Sequence, residues 1–403
     1  MNSKKLQSII NDDGAYLFQT YTRQPVSFAR GEGSYLYDQD GRRYIDFLSG
    51  IAVNLLGYGH PRLLKTLHKQ LDVMLHTSNL FLNSEQIAAA KLLSKTAFPG
   101  RTFFSNSGTE ANEAAIKLAR RHGRTVSNEK FRIISFEGSF HGRTFGAMAA
   151  TGNEKIKKGF EPLMEGFTIL PYNDIDSFLS VADGAKYCAV LTELIQGEGG
   201  IRPATREFAS VLVETCKKHN MLLIIDEVQT GLGRTGKPFA FQHYNLKPDA
   251  ITLAKGLAAG LPLGALHART DRAGLMEKGS HASTFGGNHL SCAAARVVLE
   301  EIAKPSFFKN MSAVSAYIFD RLATLKKELA IIADIRGKGL HVGIELTRPG
   351  APLVGAALAR GLVINCTSER VLRLMPPLTV SRKTAREALD ILEELLRVEN
   401  GTQ

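Results

Sequence analysis

The chain is poor in the residues and runs that would place it outside the ordinary globular enzymes. Four cysteines in 403 residues, Cys188, Cys216, Cys292 and Cys366, lie far apart. Their spacing fits no metal-ligand pattern, so free thiols in a reducing compartment and no bound metal are expected. No apolar run is long enough to cross a bilayer, and residues 1–21 carry charges without an apolar h-region. The expectation is a cytoplasmic protein with no membrane partner. Net charge is +11, yet the lysines and arginines are dispersed. A nucleic-acid interface needs a clustered basic tract, so none is expected. A diffuse basic field suits solubility and the attraction of anionic substrates. Internal repeats and low-complexity tracts are also missing.

What is present is the composition of a sizeable α/β protein, 44% apolar and 22% charged, with length for two or three domains. Residues 33–38 and 43–47 alternate around Asp40-Gly41 and read as a β-hairpin. Candidate strands at 102–105, 132–136, 187–193, 222–226 and 250–254 then alternate with helical segments, which predicts a mostly parallel sheet. Between the first two, Ala111, Ala114, Ala115, Leu118 and Ala119 share a helix face, with Gly123 as the expected C-cap. A final amphipathic helix carries Ala385, Ala388, Leu389, Leu392, Leu395 and Leu396 on one stripe. The expected division is an N-terminal segment 1–65, a large domain 66–289 and a smaller α+β domain 290–403.

Charged residues at the ends of apolar strands mark the chemistry. Lys255 follows the apolar run 251–254, and Asp226 closes Leu222-Leu223-Ile224-Ile225. An amine and a carboxylate in those places suit pyridoxal phosphate: the lysine forms a Schiff base and the acid pairs with the ring nitrogen. Taken singly, each is equally an exposed strand-end lysine or a helix-capping acid. Asn106-Ser107-Gly108-Thr109-Glu110 runs from a strand into a helix, and so reads as an anion cradle or as an N-cap with a capping box. It lacks the Gly-Lys-Ser/Thr end of a nucleotide P-loop. Glu137-Gly138-Ser139-Phe140-His141-Gly142-Arg143 places an aromatic able to stack on a ring and an arginine able to grip a carboxylate at a sheet edge. Glu198 sits among glycines, and Ser283-Thr284 precedes a Gly-Gly turn resembling a second phosphate loop.

Together these residues closely resemble the class III aminotransferases of fold type I. The run from Asp226 through Gln229-Thr230-Gly231-Leu232-Gly233-Arg234-Thr235-Gly236 is specific to the class. Residues 31–33, 46–54 and 76–80 are similar to members that act on N-acetylornithine. The resemblance implies pyridoxal 5′-phosphate, with Lys255 as Schiff-base lysine and proton-transfer base and Asp226 at the ring nitrogen. Val228 would pack behind the ring, with Phe140 on its other face. Gln229 would lie near the phenolic oxygen, Glu227 would join the cofactor site, and Ser107, Gly108 and Thr109 would hold the phosphate. A homodimer is implied, with Thr284 reaching the neighbouring site and Ser283 touching substrate. Arg143 and Arg373 would bind carboxylates, and Glu198 would cover Arg373 except when glutamate or 2-oxoglutarate needs it. The implied reaction moves the δ-amino group of N-acetylornithine to 2-oxoglutarate. Succinylornithine, succinyl-diaminopimelate, ornithine and 4-aminobutyrate are alternative donors, and a racemase or aminomutase is the rival on the same scaffold. Leu194 and His289 stand where the class commonly has proline.

Overall fold

A computed structural model describes residues 4–401. Its largest sheet has seven strands: Gly100–Ser105 (β1), Arg132–Phe136 (β2), Phe167–Leu170 (β3), Tyr187–Thr192 (β4), Leu222–Asp226 (β5), Ala250–Leu253 (β6) and Gly264–Arg269 (β7). Their order is β1-β7-β6-β5-β4-β2-β3, and β7 alone runs antiparallel to its neighbours. Strands β4, β5 and β6 are buried along their whole length. That explains their continuous Val, Ile, Leu and Ala content, since a parallel sheet covered on both faces leaves no polar side.

Five of the seven strands fall where the sequence places them. β3 and β7 were not expected. β3 is a four-residue edge strand whose first three residues are only partly buried, and β7 is buried at its first five positions. Neither shows the alternation that identifies a half-buried strand.

The helix Gly108–Arg124 (α1) follows β1. Ala111, Ala114, Ala115, Ile116, Leu118 and Ala119 are buried on it. The expected C-cap at Gly123 is corrected: the helix continues to Arg124 and is capped by Thr125. Gly123 is required for another reason. A Cβ there would fall 1.7 Å from the Lys130 carbonyl oxygen and 2.7 Å from Cys188 Cβ. Close approach of backbone, not a left-handed turn, selects the glycine.

The chain ends meet beside this unit. The expected hairpin forms from Tyr35–Asp38 and Arg43–Asp46, and Leu362–Val363 adds to it in parallel. A second antiparallel sheet contains Ile332–Lys338, His341–Leu346, Val371–Leu374 and Asn365–Thr367. Helix Arg382–Gly401 buries Ala385, Ala388, Leu389, Leu392 and Leu396, as its stripe predicts. Helix His289–Ile302 packs on Ser84–Thr96 and Pro61–Val73, so the C-terminal sheet proper begins at Ile332. Arg234, from the class-specific run, joins the two units: its Nη1 donates to the carbonyls of Leu340 (3.1 Å) and Pro376 (2.6 Å).

Candidate active site

A cavity of about 400 Å³ opens at the C-terminal ends of the parallel strands. Its lining brings together Ser107, Gly108, Thr109, Phe140, Arg143, Glu198, Asp226, Val228, Gln229 and Lys255. Ligands bind at this edge in open α/β sheets because the loops there diverge and helix N-termini point inward.

Asp226 ends β5 and is 3% exposed. Its Oδ2 accepts hydrogen bonds from Asn112 Nδ2 and His141 Nδ1, both at 2.8 Å, and its Oδ1 accepts from Val228 N at 3.0 Å. Three donors from three segments fix the carboxylate as an acceptor beside the cavity. Asn112 also donates to the His141 carbonyl at 2.7 Å, so the pair is locked to each other as well as to the acid.

Lys255 follows β6 in a left-handed conformation (φ 47°). For a residue with a side chain this is strained, at about 1 kcal/mol or more, and such strain clusters at functional sites. Burial pushes its ammonium down to about 8; Arg373 adds to this, against the opposing pull of Glu198, Asp226 and Glu193. The neutral fraction of such an amine at physiological pH is far larger than that of a free lysine, and the neutral form can act as nucleophile and base.

The anion cradle expected from the sequence corresponds to the first turn of α1. Ser107 is its N-cap, with Oγ accepting from Glu110 N at 3.3 Å. The Glu110 carboxylate turns back to Asn106 N and not to the cap residue itself, so the capping box is offset by one position. Thr109 Oγ1 accepts from Arg143 N and Thr144 N at 3.2 Å, and its hydroxyl contacts Thr144 Oγ1 at 2.9 Å. That hydroxyl is therefore committed to the neighbouring loop. The cradle's contribution comes from the Ser107 hydroxyl and the first-turn N–H groups of Gly108 and Thr109, which have no intrahelical acceptor. Gly108 packs on the Val228 side chain, where a Cβ would approach Cγ1 to 2.9 Å.

At the other end, Arg373 is 1% exposed and reaches Glu198 Oε1 at 2.5 Å, Asn365 Oδ1 at 3.1 Å and Gln229 Oε1 at 3.2 Å. Burial pushes the Glu198 carboxyl up, but the charge and hydrogen bond of Arg373 outweigh it and hold it below the usual range. Arg143 stands exposed at the cavity mouth, its guanidinium 5.7 Å from the Phe140 ring centroid.

Some expected residues lie elsewhere. Glu227 is corrected: it points to the opposite side of β5, where its carboxylate accepts from Thr230 Oγ1 (2.5 Å) and Phe241 N (2.9 Å). Consecutive residues at a strand end face opposite ways, so Asp226 and Glu227 cannot share one cavity. Ser283 and Thr284 line a separate cavity with Asn106, Glu110 and His281. Thr284 is exposed, and Ser283 Oγ accepts from Gly286 N (3.0 Å) and Asn106 Nδ2 (3.3 Å). Gln229 Oε1 is taken by Arg373 and by His341 Nε2 at 3.1 Å.

Sequence reasoning missed His141, Asn112 and Glu193. Glu193 gives a signal like that of Asp226, an acid at the end of a mainly apolar strand. His141 lay inside a recognised motif, masked by Phe140 and Arg143. Asn112 is a polar residue among the buried alanines of α1.

The donor set fits pyridoxal phosphate: an amine of lowered basicity, a carboxylate fixed by three donors, an aromatic face and a helix N-terminus all line one cavity of suitable size. Residues 17–396 match the family model described as aminotransferase class-III. An acetylornithine aminotransferase from Caldanaerobacter subterraneus is 46% identical over 390 residues, 96% of this chain and 99% of that protein. One from Aquifex aeolicus is 47% identical over 382 residues, covering 94% and 100%. Among solved structures, ornithine aminotransferase from Toxoplasma gondii superposes with a TM-score of 0.93 at 29% identity, over 99% of this chain and 96% of that one. N-acetylornithine aminotransferase from Stenotrophomonas maltophilia gives 0.83 at 33% identity, over 98% and 100%.

Proposed function

The chain belongs to the class-III aminotransferases and is a pyridoxal-phosphate enzyme, and from that premise we propose that it transfers the δ-amino group of N-acetylornithine to 2-oxoglutarate. The products are N-acetylglutamate 5-semialdehyde and glutamate, which places the reaction in arginine biosynthesis. When bound, the cofactor supplies a carbonyl that condenses with an amine and a ring that draws electrons from the adjacent carbon. Ser107, Gly108 and Thr109 would hold its phosphate, Val228 and Phe140 would take the two faces of its ring, and Asp226 would meet the ring nitrogen. Lys255 Nζ would carry the proton from the substrate carbon to the cofactor carbon in one half-reaction and in the reverse direction in the other.

The single observation behind the donor assignment is the Glu198–Arg373 pair. A closed pair presents no net charge to the δ-carbon end of N-acetylornithine, which bears no carboxylate beside the reacting amine. An opened pair presents a guanidinium to the second carboxylate of 2-oxoglutarate. Arg143 at the mouth takes the carboxylate common to both. The site thus alternates between two substrates without leaving a buried charge unmatched.

The homodimer follows from the same reading. Thr284 is exposed beside Phe285, and Leu80, Phe81 and Leu82 are exposed apolar residues nearby in sequence to the loop-supporting Asn79. A second copy would cover them and bring Thr284 to its cofactor phosphate. The buried thiols of Cys188, Cys216 and Cys292, all free, accord with a cytoplasmic setting.

The test is kcat/KM for a panel of ω-amines with 2-oxoglutarate as acceptor. N-acetylornithine is expected among the best donors. Preference for free ornithine or 4-aminobutyrate by an order of magnitude would replace the assignment, and turnover without 2-oxoglutarate would point to an isomerase.

A further inference from the structure

Glu193 directly follows β4, is 5% exposed and lines the cavity without a role in the scheme above. Its two carboxylate oxygens serve different loops. Oε2 accepts from Phe140 N at 3.2 Å, and Oε1 accepts from Gly197 N at 3.0 Å. Its main chain is pinned too, because the Glu193 carbonyl accepts from Tyr172 Oη (2.9 Å) and Thr192 Oγ1 (3.0 Å). The loops it joins also touch independently. Gln196 Nε2 donates to the Glu137 carbonyl at 2.8 Å, and a Cβ on Gly199 would fall 2.6 Å from the Gly138 carbonyl.

We infer that Glu193 is a positioning residue whose single carboxylate clamps the loop carrying Phe140 to the loop carrying Glu198, so that the stacking face and the carboxylate-selecting gate keep one register. The inference rests on Phe140 as stacking face and Glu198–Arg373 as gate. Both N–H groups need an acceptor, and only an ionised carboxylate offers two equivalent ones. Burial pushes the Glu193 carboxyl up to about 7, with Asp226 adding and His141 and the two N–H groups opposing. Glu193 also acts electrostatically on Lys255 and on the Tyr172 hydroxyl.

The test uses holoenzyme and two variants. Glu193→Gln turns one acceptor into an NH₂ donor facing a backbone N–H. It should change the ratio of kcat/KM for N-acetylornithine to kcat/KM for 2-oxoglutarate by about tenfold, the scale of one lost buried hydrogen bond. The visible circular dichroism of the bound cofactor should shift with it. Gly199→Ala strains the same loop contact from its far side without touching Glu193, and should move both readouts together. The inference is overturned if Glu193→Gln leaves ratio and dichroism at wild-type values, or if it lowers both half-reactions equally with the ratio unchanged. It is also overturned if Gly199→Ala moves one readout and not the other. Wild-type protein that transfers no amine would instead overturn the functional reading on which the inference rests.

Discussion

The two ends of the cavity hold their charges in opposite ways. At the floor, Asp226 is 3% exposed and receives three hydrogen bonds from three different segments. At the gate, the Glu198 side chain is 34% exposed and is paired with Arg373, which is itself buried and held by Asn365 and Gln229. One carboxylate is over-determined and the other depends chiefly on a single ion pair. A cofactor that stays in place through both half-reactions needs a fixed electrostatic partner, whereas two alternating substrates need a charge that can be covered and uncovered. Burial decides which is which: a buried acid with several donors moves only at the cost of all of them.

The largest way to break this contrast is at the floor. Lys255→Ala should abolish the visible absorbance of the bound cofactor and lower kcat by at least ~10⁴-fold, since it removes both attachment point and proton carrier. Retained absorbance with near-normal turnover would remove Lys255 from the chemistry. Asp226→Ala should cost about 10²-fold or more in kcat and, by orphaning the Asn112 and His141 donors, about 2–3 kcal/mol of stability in a urea melt. A variant as stable as wild type would mean those donors find other partners and the floor is less fixed than its geometry indicates.

The gate should respond less and selectively. Glu198→Ala leaves Arg373 permanently uncovered. KM for N-acetylornithine should rise about tenfold while KM for 2-oxoglutarate stays level or falls, a difference on the order of 1.4 kcal/mol. Equal effects on both substrates would show that Glu198 is not a gate but an ordinary member of the pocket wall.

The same contrast governs how much the sequence discloses. Floor residues sit at the ends of continuous apolar strands, so Asp226 and Lys255 stand out as charges in the wrong surroundings. Glu193 stands out by the same rule, yet attention to motif spacing passed over it. The rule also misassigns Glu227, because a strand-end acid pair reads as one feature until the pleat sends its members to opposite faces. Gate residues come from distant segments. Glu198 and Arg373 are 175 positions apart, and composition alone gives neither its partner; the pairing entered through family resemblance. Thr284 lies outside the cavity of its own chain; its expected place at a neighbouring site entered through family resemblance alone. β7 was missed because it runs antiparallel between two parallel neighbours and is buried almost throughout, so no periodicity distinguishes it.

The smallest expected effect uses pH to separate floor from gate in cofactor-free protein. Lys255 is brought down from 10.5 to about 8 by burial in the folded chain. Below 8 the folded chain must hold a buried ammonium, which costs stability. Between 8 and 10.5 the unfolded chain binds more protons than the folded one, so this cost is relieved as pH rises. Glu198 runs the other way. Its folded value lies below 4.5 despite burial, because Arg373 outweighs desolvation. Its contribution is complete above 4.5 and is lost as pH falls through the folded value. Urea melts of wild type and Lys255→Met from pH 7.5 to 10 should therefore converge by roughly 1–2 kcal/mol, allowing for partial solvent access to the amine. Glu198→Gln should converge with wild type only on the acid side, below pH 4.5. If Lys255→Met tracks wild type at a constant offset across the alkaline range, the amine is not desolvated, and the floor holds its charge no more tightly than the gate.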